Sequence, residues 1–82
     1  MAIMSIIQLH LKIHQELLFL QALAEQKNIT LNFQVENIPE EGIEVIVDIA
    51  GHGIEFFDQV TINSEEDWTQ FSEDIQFALD LV

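Results

Sequence analysis

The sequence predicts an α+β domain: a three-stranded antiparallel sheet with one helix before it and one after it, both on the same face. Three observations lead there. Between residues 30 and 62, three stretches alternate apolar and polar residues and are separated by short turns, the pattern of hairpins with one face on a core. Residues 64–82 repeat apolar side chains at helical spacing, as a helix lying on a sheet does. The chain has 82 residues, 49% of them apolar, which suits one domain spanning 1–82 with one core and is too apolar for a disordered acidic tail.

The N-terminal helix is expected over about 4–27. Leu17, Leu20, Leu23 and Ala24 recur among good helix formers, and Asn28 ends the run. Its first half also reads as a strand, because Ile7 to His14 alternates strictly. Helix is preferred there: Leu and Gln are good helix formers, and Ser5, Gln8, Lys12, Gln15, Glu16 and Gln26 fall on one polar stripe. The strands follow at about 30–36, 43–49 and 54–62. Leu31, Phe33 and Val35 face inward on the first, and Ile43, Val45, Val47 and Ile49 on the second. Ile54, Phe56, Val60 and Ile62 face inward on the third, which Asp58 is expected to bulge or bend. Turns are placed at Asn37–Gly42, around Pro39, and at Gly51-His52-Gly53. The last helix spans about 64–81, with Ser64 as N-cap and Asp67 three residues later. Its core stripe is Trp68, Phe71, Ile75, Ala78, Leu79 and Val82.

Charge is distributed unevenly. Residues 28–82 hold thirteen acids and neither Lys nor Arg, while Lys12 and Lys27 balance Glu16 and Glu25 in the first 27 residues. The whole formal charge of −13 thus belongs to the last two thirds of the chain. Such a field repels nucleic acid and anionic membranes and attracts a basic surface. Spread evenly over roughly 5,000 Å², it amounts to about one charge per 400 Å², far sparser than DNA with one per about 1.7 Å of axis. A phosphate-like surface therefore requires clustering. With both helices on one side, the open sheet face carries Glu36, Glu44, Asp48 and Glu55 together with Ile46 and Phe57, and Glu40 and Glu41 sit in the adjoining turn. A solvated face ordinarily mixes signs, and this one does not.

A second candidate patch is Phe77 with Leu81, one turn apart and away from the core stripe. Glu66, Gln70, Glu73, Asp74 and Asp80 surround them, as a polar rim surrounds an interface anchor. Phe57 and Ile46 offer a similar spot, or a homodimer contact. His10 and His14 have i,i+4 spacing, but two histidines without a third ligand are no metal site, and no metal or cofactor is expected. The chain lacks a nucleophile–base motif, a phosphate loop and a calcium loop, so no enzyme is expected. Absence of Cys rules out disulfides and points to a reducing cytoplasm. The apolar N-terminus lacks the charged start and cleavage site of a signal peptide. Polar residues at positions 8, 10, 12 and 14–16 interrupt it too often for a membrane span.

In size, charge, layout and lack of an active site, the chain resembles the small acidic nucleic-acid mimics of phages and mobile elements, of the anti-CRISPR and anti-restriction type. The resemblance implies an inhibitor that occupies the basic groove of a nuclease or defence enzyme. Its contacts would be Glu36, Glu40, Glu41, Glu44, Asp48, Glu55, Phe57, Glu73, Asp74, Phe77 and Leu81. The alternatives are a homodimeric adaptor or accessory module, and an immunity protein for a basic nuclease toxin. In each case the partner is a basic protein or a second copy, not nucleic acid and not a membrane.

Overall fold

The computed structural model describes residues 5–80, which hold α1 (Ile6–Gln26), β1 (Thr30–Ile38), β2 (Gly42–Gly51), β3 (Ile54–Ile62) and α2 (Glu65–Asp80). The sheet is antiparallel in the order β1-β2-β3. Met4, Leu81 and Val82 lie outside the described residues, and with them the outermost ends expected for both helices.

Residues 5–14 are helical, not extended. Ser5 and Gln8 form a reciprocal capping box: the Ser5 hydroxyl accepts from the Gln8 N–H, and the Gln8 side chain accepts from the Ser5 N–H. Two otherwise unpaired donors are satisfied, and the first turn is nucleated. Leu9, Ile13, Leu17, Leu20 and Ala24 then bury one face. α1 ends in a Schellman motif. Asn28 takes a left-handed φ of 61°, the Ile29 N–H reaches the Ala24 carbonyl at 2.9 Å, and the Asn28 N–H reaches Glu25 at 3.0 Å. Ile29 is buried behind it, as the hydrophobic partner of such a cap should be.

Each strand runs a residue or more beyond the alternating core that announced it, except β3, whose ends match. Inward residues of all three strands share one core with both helices, so both helices lie on one sheet face. At its centre Trp68 is 1% exposed, and its indole N–H donates to Glu16 Oε1 at 3.1 Å. That bond satisfies the polar end of a large buried ring and ties α2 to α1. Gln21 donates to the Leu31 carbonyl at 2.9 Å, occupying a backbone group near the start of the edge strand β1.

Asp58 does not bulge β3. Pairing with β2 runs unbroken from Ile43↔Ile62 to Gly51↔Ile54, with Asp58 directly opposite Val47. β3 is an edge strand, so its backbone stays in the ladder while the carboxylate leans out to water. A charge at an inward position of an edge strand also discourages pairing with another sheet.

Candidate partner-binding surface

Strand register sets the open sheet face row by row. Glu36 stands directly across from Glu44, and Glu44 across from Thr61. Like charges in direct cross-strand pairing are unfavourable; Gln59 offsets part of this by donating to Glu44 Oε2 at 2.9 Å. Asp48 lies between Asn32 and Phe57, and Glu55 pairs with Ala50 near the other end. Glu44 and Asp48 are thus about 13 Å apart along one strand. Phe57 is 66% exposed and diagonal to Ile46 across β2–β3, within reach for a large side chain.

Glu40 and Glu41 lie in the β1–β2 turn, closed by the Glu41 N–H on the Ile38 carbonyl at 3.1 Å. Gly42 follows at φ 128°, and a Cβ there would run into the Asn63 side chain and the Ile62 carbonyl. Glycine at this point lets the turn close onto the β3–α2 junction. Glu36, Glu40, Glu41 and Glu44 therefore share one end of the molecule with Glu65, Glu66 and Asp67, the acidic first turn of α2. That helix start is capped as expected: the Asp67 N–H donates to the Ser64 hydroxyl at 3.2 Å. The Asp67 carboxylate in turn accepts from the Asn63 N–H at 3.0 Å. Acids in a first turn also suit the helix dipole.

A third acidic region was not foreseen from sequence. α2 leaves a groove along β3, lined by Asp58, Asp67, Gln70 and Asp74. On the other side of Asp74 a second, open cavity of about 570 Å³ lies between Glu55, Phe56, His52 and Phe77. Glu55, Asp74 and Phe77 belong to the expected contacts; Asp58 and Asp67 are additions. The signal for Asp58 was present, since a carboxylate at the inward parity of a strand marks an edge with water beside it. For Asp67 the sequence signals only a helix cap. Phe77 is 68% exposed, and Glu73 stands exposed one turn before it on the outer side of α2. Leu81 and the side chain of Asp80 lie outside the described part of the chain.

Lys12 touches these surfaces only at Glu65, and Lys27 binds a backbone carbonyl of α2. Lys12 Nζ lies 3.4 Å from Glu65 and 3.9 Å from Glu16, and Lys27 Nζ donates to the Leu79 carbonyl at 3.1 Å. Both cations are thus held at the α1–α2 seam, Lys27 at a helix C-terminus where positive charge is favoured. Among the described residues, Glu16 and Glu65 are the acids with an ion-pair partner. No group of three His, Asp or Glu among them is placed to hold a metal ion, and no described helix is long and apolar enough to cross a membrane. His10 and His14 part ways: His10 is half-buried, whereas exposed His14 meets Phe33 edge-on at 5.6 Å.

These features define an acidic α+β fold of two helices on one face of a three-stranded sheet. Compared with protein-family models, curated proteins and solved structures, the chain matches none.

Proposed function

We propose that the chain is a small acidic inhibitor that occupies the basic nucleic-acid-binding groove of a nuclease or defence enzyme, in the manner of an anti-CRISPR-like DNA mimic. One observation carries this reading: both lysines are held at the α1–α2 seam, where Lys12 reaches Glu65 alone of the acidic end, so among the described residues the other carboxylates of the sheet face, the β1–β2 end and the β3–α2 groove have no cation partner. A target's Arg and Lys would supply the missing charge. Carboxylates replace phosphates in charge-assisted hydrogen bonds, and the summed field speeds encounter. Phe57 and Phe77 act as apolar anchors that slow release. The chain itself does not bind nucleic acid, which requires Lys and Arg to neutralise phosphate. A chain without Cys is at home in a reducing cytoplasm, where such targets work.

The test is displacement of labelled duplex from nucleases with a basic groove. The chain should release the duplex at low salt and progressively less as salt rises. Replacing Glu44→Lys with Asp48→Lys should weaken inhibition at least about tenfold, as loss of complementary charge does. Full inhibition by that variant, with its fold intact, would remove the sheet face from the contact.

A further inference from the structure

The turn end of the β2–β3 hairpin and the last turns of α2 frame the cavity of about 570 Å³, a size within the range of about 300–1,000 Å³ of small-ligand sites. Topology puts it there: α2 runs back along β3, so its C-terminal half returns to the first residues of that strand. Half-buried Ile54 and Phe56 and buried Ala78 give it apolar walls. Phe77 lines it too, 68% exposed and outside the core. Asp74 enters from α2 and Glu55 from β3. Among the described residues neither carboxylate has an ion-pair partner, and no Lys or Arg lines the cavity.

The backbone adds to its negative character. Gly51 and Ile54 pair across a two-residue turn. Bonding to β2 therefore falls on Ile54 and Phe56, and the Glu55 backbone faces out of the sheet edge, leaving its carbonyl free to accept. The same alternation holds farther along, where the edge N–H of Gln59 is taken by the Asp58 carboxylate at 2.9 Å. α2 also ends beside the cavity with no basic residue in its last turn, and a helix C-terminus favours a cation. Lys27 approaches that end from α1, at the Leu79 carbonyl, and leaves the cavity side without one.

These walls select the occupant. Asp74 and Glu55 repel an anion, and a purely apolar group would cover them without a partner, which is costly. A metal ion lacks ligands, since no three His, Asp or Glu among the described residues converge. A cation with an apolar stem and a flat, delocalised head suits every wall. Guanidinium carries five donors and no acceptor, pairs with carboxylates and stacks on aromatic faces. A lysine ammonium is compact and strongly hydrated, and loses more on entry. We propose that this cavity receives one arginine side chain of a protein partner, its stem on Phe56 and Phe77 and its head between Asp74 and Glu55. That the arginine belongs to a partner rests on the inhibitor reading, whereas the preference for guanidinium rests on the cavity alone.

Titration of the isotope-labelled full chain with N-acetyl-arginine amide, at constant ionic strength, tests this through amide chemical shifts. Saturable shifts are expected at His52, Gly53, Asp74 and Ala78, with a Kd in the millimolar range. N-acetyl-lysine amide should bind at least about threefold more weakly, and the uncharged citrulline analogue should not bind. Asp74→Asn with Phe77→Ala, both at exposed positions, should lower arginine affinity at least about tenfold. Glu25→Gln, which removes one charge outside the cavity, should leave it unchanged. Absence of binding, equal arginine and lysine shifts spread over every acidic surface, or an arginine affinity that survives the double substitution would overturn the proposal. Duplex displacement is a separate readout. Arginine binding without displacement would remove the inhibitor reading and keep the cavity; displacement without arginine binding would do the reverse.

Discussion

The two helices lie side by side on one sheet face and bury similar stripes, yet their exteriors are opposite. α1 with its C-cap Lys27 carries two cations against two anions and exposes Ile7, Leu11, Leu18 and Phe19. α2 has five acids before Asp80 and no cation, and its large exposed apolar residue is Phe77. Packing on the sheet explains neither exterior, since it uses only the inner stripes. The difference teaches that the core and the two outer surfaces are separable: one core supports a neutral apolar surface and an anionic one, joined by Lys12, Lys27 and the Trp68–Glu16 bond.

The largest expected effect comes from breaking that joint. Trp68→Ala removes the largest buried side chain and its bond to Glu16, and should lose about 3–5 kcal/mol of stability. Urea denaturation of a domain with about 5–15 kcal/mol in total would show it as a large fall in midpoint. A loss below about 1 kcal/mol would mean that the helices are held independently.

A smaller effect distinguishes the two exteriors. Raising salt from about 0.01 M to about 1 M shortens the screening length from about 30 Å to about 3 Å. Self-repulsion among unpaired carboxylates then weakens, so stability rises with salt. The melting temperature should climb by several degrees, with about 1 kcal/mol corresponding to roughly 4–8 °C. Changing Glu36, Glu40, Glu41 and Glu44 to Gln should flatten that dependence. Changing Glu16 and Glu65 to Gln should not, because Lys12 already pairs with both. Equal responses from both sets would erase the contrast between the regions.

The smallest effect has an informative sign. Glu36→Lys places a cation directly across from Glu44 and should stabilise the free protein by about 0.2–1 kcal/mol, read by thermal melting. The same substitution should weaken displacement of duplex. A variant that is more stable and less inhibitory would show that the like-charge pairing serves the anionic surface and not the fold.

Much of the fold was legible because its signals are local. Ser64 and Asp67 announced the start of α2, and Asn28 announced the end of α1. Alternation in residues 43–49 named the inward set that the structure buries. The β2–β3 turn was also readable: His52 and Gly53 both take positive φ, as a two-residue hairpin turn of type I′ requires. The ambiguity over residues 5–14 had a physical source. Alternation there is real, and helix formation sends half of it, Leu9 and Ile13, into the core and leaves Ile7 and Leu11 outside. A helix apolar on two sides resembles a strand when read along the chain.

The candidate surface was legible in kind but not in arrangement. Absence of Lys and Arg after Lys27 is a property of the sequence, and the acids of the sheet face follow from strand parity. Two features needed the folded chain. Lys12 meets Glu65 across 53 positions of sequence and Lys27 meets Leu79 across 52, so no local pattern could show that Lys27 is withheld from the acidic faces and that Lys12 reaches them only at Glu65. The groove of Asp58, Asp67 and Asp74 exists because β3 is an edge and α2 crosses beside it.

By itself the sequence determined the elements, their inward faces and the sign of the field, since caps, turns and periodicity act between residues a few positions apart. Tertiary structure alone decided which strand would be an edge, where the two lysines would end and that the second apolar side of α1 would stay uncovered. Each of those depends on which distant segments pack together, and a single sheet layer has only one side to offer α1.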